Sequence, residues 1–355
     1  MFGTNFTYDL LVSRTERDAL LEDVGLEKVY DAIEDGLEVH NSLTEEVFGF
    51  YAEVRNAVRP DDYRYETYGE NRVLDFEQVD EIGVVDAQKV AAGYTVGFAI
   101  DRHQLAVQWT NDFLEHATVE ELLRDFTAAR QGDQIQTRNN LLNAIFNPVN
   151  RVEVDRFHNH VGVNVKALVN ADGLNIPEGP HGQVFDGATH NHYLANATLT
   201  EAAAINLVET VKEHYLSGDV RVFINKAQEA TWRAFNEFYP YVLQGVHPRD
   251  DRDGAQGTER QMPLDDRAIG EFKGAEVWVK PWQPAHYAFC LISSANIRKV
   301  ARIRRRRGGL YVVSQSEKFP LLARRLENNY GSGVLERTAG AILYSNGASY
   351  VAPTF

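Results

Sequence analysis

The sequence predicts a mixed α+β protein of two interleaved lobes, in which helices pack on a central sheet and one long helix accompanies long strands. One segment combines extended helical periodicity with a capping signal, which indicates the long helix. Segments with alternating or β-branched residues recur in the second half of the chain, between helical ones, and indicate the sheet. The sequence contains no internal repeat.

The first part of the chain is typical of an arm followed by a ribbon. Apolar residues at helical spacing over Thr15–Val58 predict two short acidic helices with a break around Gly36–Thr44. Helices that bury so little by themselves fit an arm lying on another surface. From Tyr63 to about Tyr94 the pattern alternates and glycines interrupt it. A two-stranded ribbon alone is marginally stable in water, so this segment is expected to require a neighbour.

The clearest helix is predicted over Thr118–Phe146. Thr118 and Glu121 have the spacing of a capping box, in which each side chain satisfies a free backbone N–H. Pro148 ends the helix, since its ring permits no further helical hydrogen bond. At 1.5 Å per residue the helix is roughly 40 Å long. The alternation that follows over Arg151–Val169 predicts a strand.

The second half of the chain predicts a sheet with helices between its strands. Thr198 and Glu201 repeat the capping-box spacing and begin a helix that runs through Leu216 and ends at Gly218. Asn225 caps a second helix through about Phe238. Gly331-Ser332-Gly333 is interpreted as a turn. The remaining predicted elements are a strand at Val220–Ile224, a polar surface loop over Val246–Arg267, and strands near Val277, Tyr287, Tyr311 and Ala341–Tyr344.

The composition is that of an ordinary globular protein, with 44% hydrophobic and 25% charged residues. The longest apolar runs, such as Tyr287–Ile292, are far shorter than the ~20 residues of a membrane span. The N-terminus does not have the pattern of a signal peptide. Cys290 is the only cysteine, which excludes an intrachain disulfide, and its apolar neighbours predict a buried free thiol.

The charge is distributed unevenly along the chain. Residues 1–90 hold 22 acidic and 8 basic residues, a net charge of −14 out of the −15 of the whole chain. The nearly neutral remainder contains the dense basic run Arg298–Arg307, with the sequence RKVARIRRRR. Complementary patches of this kind favour head-to-tail attraction between copies of the chain. Attraction between opposite charges speeds the encounter of two subunits and fixes the register in which they bind. The alternative is two solvated faces of unlike sign.

Two His-Asn-His triplets are the candidates for chemistry. His158/His160 and His190/His192 would each point the same way on a strand and chelate a metal. Histidines beside Asn and Tyr193 also form buried hydrogen-bond networks, and we expect that role, with no metal site and no cofactor. The sequence contains no G-x-S-x-G elbow and no Walker A motif, so no catalytic residue is predicted. Phosphate binding by Arg304–Arg307 is a weaker alternative to ion pairs between subunits.

The C-terminal residues resemble a known family. FKGAEVWVKPWQPAHYAF at 272–289 is followed, after the basic run, by FPLLARRLENNYGSGVLERTAGAILYSNGASYVAPTF at 319–355. This order resembles the C-terminal part of tailed-bacteriophage major capsid proteins with the Hong Kong 97 fold, and a fainter resemblance runs back to about Tyr63. In these proteins a "V-x-P-W-x-P" strand exit leads to a long basic and aromatic strand pair and a "YV-x-P-T" ending.

The resemblance implies a division of the chain. It implies an N-terminal arm (1–60), an extended E-loop hairpin (61–100) and a P-domain with a long spine helix (101–160, helix about 119–147). An A-domain with a central sheet flanked by helices follows (161–290), then P-domain return strands (291–338) and a final A-domain strand (339–355).

The resemblance also implies a structural role and its partners. The chain would be one tile of an icosahedral shell of hexamers and pentamers, assembled in the bacterial cytoplasm and enclosing double-stranded DNA without sequence-specific binding. A separate scaffolding protein, a portal and a decoration (cement) protein would be partners, with no membrane. The inter-subunit contact candidates are Arg298, Lys299, Arg302, Arg304, Arg305, Arg306 and Arg307 on the basic side and Asp61, Asp62, Glu66, Glu70, Glu77, Asp80 and Glu81 on the acidic side.

A covalent crosslink between subunits is known in the family, formed by an E-loop lysine and a P-domain asparagine. Lys89 is the only E-loop lysine here, and Asn296, Asn328 and Asn329 are candidate acceptors. We expect no crosslink, because most relatives lack it. Two other functions remain as alternatives: an encapsulin-type shell around protein cargo, and a metal-dependent hydrolase that uses the histidine pairs.

Overall fold

The computed structural model describes residues 17–57, 62–68, 92–241 and 266–355, with positions 76, 78, 79, 83 and 87–89. The predicted loop Val246–Arg267 lies outside the described residues apart from its last two positions. Among the helices of the described ranges, none has the length and apolar character that crossing a membrane requires.

The described elements alternate between helices and strands. The helices are α1 (Leu21–Val24), α2 (Leu26–Phe48), α3 (Asn111–His116), α4 (Val119–Phe146), α5 (Glu201–Lys212) and α6 (Glu229–Arg233), with a 3₁₀ turn at Lys226–Gln228. The strands are β1 (Ala52–Asn56), β2 (Arg64–Tyr68), β3 (Ala92–Gly97), β4 (Asp101–Thr110), β5 (Arg151–Asp155), β6 (Val161–Val165), β7 (Tyr193–Ala195), β8 (Asp219–Ile224), β9 (Phe238–Pro240), β10 (Arg267–Phe272), β11 (Ala275–Val279), β12 (Tyr287–Ser293), β13 (Ala301–Lys318), β14 (Leu321–Val334) and β15 (Gly340–Tyr344).

The N-terminal region folds as one long helix. The predicted break at Gly36–Thr44 is wrong, because α2 runs through it without interruption. Ile33, Leu37 and His40 follow one another at helical spacing on the buried face, and Gly36 lies among them. Burial of that face outweighs the intrinsic cost of about 1 kcal/mol for a glycine inside a helix. Helix α2 packs on α4 and β13 of its own chain, so its apolar face is covered within the subunit.

Helix α4 confirms the strongest local prediction. The Thr118 hydroxyl accepts from the Glu121 N–H, and the Glu121 carboxylate accepts from the Thr118 N–H at 2.9 Å. Both arms of the capping box are therefore formed. The last helical residue is Phe146, two residues before Pro148.

Three other predictions need correction. The strand predicted over Arg151–Val169 is a hairpin of β5 and β6, whose turn contains Asn159 and His160 at φ values of 47° and 54°. A left-handed backbone at two successive residues reverses the chain, so His158 and His160 do not share a strand face. The cap of α5 is Thr200 rather than Thr198. The helix capped by Asn225 is only a 3₁₀ turn followed by the short α6.

A seven-stranded sheet forms the larger part of the core. Its strand order is β7-β15-β12-β8-β11-β10-β9, and helix α5 packs against β12 and β15. Strand β12 lies between β8 and β15, and all seven of its residues are buried. This layer of α5 on a mixed sheet is the predicted sheet flanked by helices.

A second sheet is dominated by one long ribbon. Its order is β1-β13-β14-β4, in which β13 and β14 are antiparallel strands of 18 and 14 residues. Arg307, Gly308 and Gly309 all have positive φ and form a bulge inside β13. The basic run therefore precedes a bulge in mid-strand, not the hairpin tip that its glycines suggest.

The predicted turn at Gly331-Ser332-Gly333 lies inside β14, where the chain is extended. A Cβ atom at Gly331 would lie 1.8 Å from the Ala99 carbonyl oxygen, so the close approach of two backbones requires glycine there. The glycines therefore mark a close backbone contact and not a change of direction.

Cys290 confirms its prediction as a buried free thiol on β12. Burial raises its pKa well above the usual range for a thiol, so little nucleophilic thiolate forms at neutral pH. We expect a maleimide to leave the native protein unlabelled over hours and to modify it stoichiometrically in denaturant. Mass spectrometry of both samples checks this, and rapid native labelling would contradict the burial.

Candidate functional site

Three arginines of the basic run are neutralised inside the chain. On β13, Arg302 donates to Glu53 at 3.0 Å and Arg305 donates to Glu45 at 2.9 Å. Arg304 donates to Asp62 at 3.0 Å and also to Asp155. All three arginine side chains are buried. Three of the seven basic residues of this run are therefore matched by acidic residues of the same subunit.

The Arg304–Asp155 pair is the most enclosed of these contacts. Asp155 is fully buried at the end of β5 and also accepts from the backbone N–H groups of Phe157 and His158. Arg304 donates a further hydrogen bond to the Phe98 carbonyl oxygen. One guanidinium thus joins the ribbon, the β5–β6 turn and the segment that follows β3.

Arg304→Met is expected to destabilise the subunit by about 3 kcal/mol, because it leaves the Asp155 carboxylate buried without its counter-ion. Asp155 keeps three backbone donors, the N–H groups of Phe157, His158 and Ile100, so the loss is expected at the low end of the usual range for a broken buried pair. Arg306→Met is the matched control: Arg306 is exposed on the same strand, and its loss should cost no more than about 0.5 kcal/mol. Urea unfolding of both variants measures the difference, and equal midpoints would contradict the role of Arg304.

The predicted inter-subunit contacts remain predictions. On the basic side, Arg306 and Arg307 are exposed at the bulge and lie over the rings of Phe157 and Tyr311 at 4.6 and 5.2 Å. On the acidic side, Asp62 is paired within the chain and Glu66 is exposed. The other acidic candidates, Asp61, Glu70, Glu77, Asp80 and Glu81, lie outside the described residues. Arg298 is half-buried over the Tyr65 ring, and Lys299 donates to Ser293.

The crosslink candidates differ in exposure. Lys89 and Asn296 are exposed, whereas Asn328 and Asn329 are buried in β14 at 7% and 1% exposure. Of the three asparagines, only Asn296 is therefore accessible to a lysine from another chain.

The base of the predicted E-loop is anchored to the subunit. Strands β2 and β3 pair as the predicted ribbon, with Arg64 opposite Gly97 and Tyr68 opposite Ala92. Tyr65 packs against the buried Val96 and Phe98 in a small separate core. The ribbon therefore leaves the subunit from a fixed position.

Arg337 holds together the segment between β6 and β7. Its guanidinium donates to the carbonyl oxygens of Ala167 and Leu168, to Asn170 and to Asp172, the last at 2.9 Å. Burial alone would raise the pKa of Asp172, but the nearby Arg337 charge and the hydrogen bonds lower it. No local sequence pattern marks this arginine, because its four acceptors lie more than 160 residues away.

The structure brings a third histidine to one of the two pairs. The Nε2 atoms of His190, His192 and His214 lie 3.1 Å from one another in all three combinations. His190 and His192 precede β7, and His214 lies in the turn after α5. Burial lowers the pKa of His192 to about 3 and also lowers that of His190, so both rings are neutral at pH 7. No sequence spacing links His214 to the pair, so sequence reasoning missed it.

Two groups of apolar side chains are exposed. Phe319 at the turn between β13 and β14 is 84% exposed, and Leu321 beside it is 37% exposed. Val149, Val152 and Val154 form a second group on and before β5, each more than half exposed. Contiguous exposed apolar groups are typical of surfaces that contact other proteins.

Comparison with solved structures identifies the fold. No protein-family model and no curated protein matches the chain. A solved structure from Mycobacterium phage Patience superposes with a TM-score of 0.63 at 19% identity, covering 92% of this chain and 91% of that one. The capsid of an empty GTA particle superposes with a TM-score of 0.50 at 11% identity, covering 86% and 90%. The chain therefore has the Hong Kong 97-type capsid fold predicted from its C-terminal motifs.

Proposed function

We propose that the chain is the major capsid protein of a tailed double-stranded DNA bacteriophage. The observation that carries this proposal is the superposition on the Patience phage structure over more than nine-tenths of both chains. Because the fold is that of a shell tile, the role is structural and not enzymatic.

The parts of the fold correspond to the subdomains expected of a subunit in such a shell. The seven-stranded sheet with α5 would be the A-domain. Helix α4 with the β13–β14 ribbon would be the P-domain, and the β2–β3 ribbon would be the base of the E-loop. The exposed Phe319 turn and the valines near β5 supply apolar surface for contacts between subunits. A closed shell repeats each contact many times, so modest contacts suffice.

The partners follow from this role. Copies of the chain would form the hexamers and pentamers of an icosahedral virion shell, assembled in the bacterial cytoplasm around a separate scaffolding protein. A portal and a decoration protein would complete the particle. DNA would be enclosed without sequence-specific contacts, in keeping with a basic run in which Arg302, Arg304 and Arg305 are paired inside the chain.

Electron microscopy and sedimentation of the chain, expressed alone and with a candidate scaffolding protein from the same genome, test the proposal. Closed, thin-walled shells are expected in at least one condition. Chains that remain monomeric in both conditions would contradict the proposal. Particles purified from the native source should absorb more strongly at 260 nm than at 280 nm. A protein-dominated spectrum would favour the encapsulin alternative instead.

A further inference from the structure

Three imidazole nitrogens meet at one point near the edge of the seven-stranded sheet. The Nε2 atoms of His190, His192 and His214 form a triangle with 3.1 Å sides. His192 and His214 are buried, and the His190 side chain is 18% exposed. The ring of Phe185 covers the group, with its centroid 4.2 Å from that of His214.

Hydrogen bonding alone does not satisfy this triangle. Each Nε2 atom either carries a hydrogen or presents a lone pair, and a hydrogen bond requires one of each. Because each Nε2 atom has only these two possible states, at least two of the three atoms must be in the same state. At least one of the three contacts therefore opposes two N–H groups or two lone pairs. Such a contact is unfavourable in a buried site, where unmatched polar groups are costly.

A cation removes the conflict, because all three nitrogens then present lone pairs to it. The His192 ring is already fixed for this role: its Nδ1 lies 2.7 Å from the Gly340 carbonyl oxygen. A carbonyl only accepts, so Nδ1 carries the hydrogen and the neutral ring turns the lone pair of Nε2 toward the triangle. A backbone carbonyl that holds the second ring nitrogen is the usual support of a metal-bound histidine.

The dimensions fit a tetrahedral ion. An ion at the usual zinc–nitrogen distance of about 2.0–2.1 Å from each corner would stand about 1 Å outside the plane of the nitrogens. That position leaves room for a fourth ligand on one side. The Glu213 Oε1 atom lies nearby, 3.4 Å from His190 Nε2 and 3.9 Å from His214 Nε2, but it does not converge with His192 on the same point. Glu213 therefore supplies a negative charge beside the three nitrogens and not a fourth ligand.

The geometry points to a structural binding site for a divalent transition metal, best matched by Zn²⁺, formed by His190, His192 and His214. Three imidazoles favour Zn²⁺ and its transition-metal neighbours over Mg²⁺ and Ca²⁺, which prefer oxygen. Two of the three histidines are buried and the Phe185 ring covers the group, which favours a structural role. The proposed site departs from the expectation from sequence that the His-Asn-His pair only forms hydrogen bonds.

The metal would fasten three parts of the fold to one another. His190 and His192 belong to the segment that enters β7, His214 follows α5, and Gly340 begins β15. One ion thus links the end of a helix to the edge of the sheet on which that helix packs.

Zinc binding by the untagged full-length chain tests this inference. After removal of metal with a chelator, Zn²⁺ should bind at one ion per chain, measured by elemental mass spectrometry after desalting. With Zn²⁺ at a thousand times its Kd, the unfolding equilibrium constant should fall about a thousandfold, seen as a higher melting temperature. Co²⁺ in place of Zn²⁺ should give the intense visible absorption of tetrahedral coordination.

His190→Gln should lower the zinc affinity by about a hundredfold or more, since changes outside the ligand set alone cost 10- to 100-fold. His181→Gln is the matched control, because His181 is exposed in the same segment, and its affinity should be unchanged. Should the His190 variant fail to fold, His214→Gln replaces it, and the zinc affinity should fall by a similar factor. Failure of the wild-type chain to retain zinc, or equal affinities in the His190 and His181 variants, would overturn the site.

Discussion

Arg337→Met is expected to lower the free energy of unfolding by about 3–5 kcal/mol, the usual cost of removing one partner from a buried ion pair. The change removes the Arg337 donor from the carbonyl oxygens of Ala167 and Leu168 and from the Asn170 side chain. Asp172 keeps its hydrogen bonds from Asn150 and Leu174 but loses its counter-ion. Methionine has a similar length and no charge, so the loss reports hydrogen bonds and ion pairing more than volume. Urea or thermal unfolding of the purified subunit measures it.

Arg325→Met is the control for this experiment. Arg325 is exposed on β14, and its replacement should change the stability by no more than about 0.5 kcal/mol. Arg337→Lys should be intermediate, because an ammonium keeps the charge but does not span the same four acceptors. A wild-type stability retained in Arg337→Met would show that the segment from Ala167 to Asp172 is held by other contacts.

The same pair predicts a pH dependence. The folded-state pKa of Asp172 is lower than its ordinary value of 3.8, so its ionised form stabilises the fold. This contribution is complete above pH 3.8 and is lost as the pH falls through the lower folded-state value. The stability difference between wild type and Arg337→Met should therefore shrink with acidification below that pH. A difference that stays constant down to pH 2 would assign the effect of Arg337 to its backbone hydrogen bonds.

Removal of the E-loop beyond its base is expected to abolish shell closure and to leave a folded subunit. Tyr68 and Ala92 are paired across the ribbon, so a two-residue Asn-Gly turn in place of residues 69–91 joins β2 to β3 in register. The small core at the base of the ribbon and the two main cores remain complete in this variant. We expect a melting temperature within a few degrees of wild type and no closed particles in electron micrographs.

Lys89→Met is the control, since it keeps the loop and removes its single lysine. Shells should form normally from this variant, and boiling wild-type shells in detergent should give one band near 40 kDa. A ladder of multimers that disappears in Lys89→Met would reveal a covalent crosslink. Normal shells from the shortened variant would show that the contacts between subunits lie elsewhere.

Local signals in the sequence predicted the elements they specify directly. The Thr118–Glu121 capping box placed the start of α4 to the residue, because both partners lie within one helical turn. The apolar run around Cys290 predicted a buried strand, because a strand that is buried on both faces has apolar residues at successive positions and no alternation. The break predicted around Gly36 was wrong, because glycine disfavours a helix by itself but is tolerated where its helix packs against another element.

The site residues depended on contacts that no local pattern records. Arg304 pairs with Asp155 and Asp62, which lie 149 and 242 residues away in the sequence. The charges themselves were predicted to be important, but the sequence does not show that their partners belong to the same chain. His214 joins His190 and His192 only because the turn after α5 packs at the edge of the sheet.

The contacts of Arg304 have a mechanical consequence for any particle that changes its shape. One guanidinium connects the long ribbon to the turn after β5 and to the carbonyl oxygen of Phe98, directly beyond the E-loop base. A motion that swings this base away from the ribbon must bring a buried carboxylate and its partner into water, which opposes the motion with a steep energetic barrier. During expansion of a shell, the ribbon and the loop base would therefore move together as one rigid unit. Bending would be confined to segments that Arg304 does not contact.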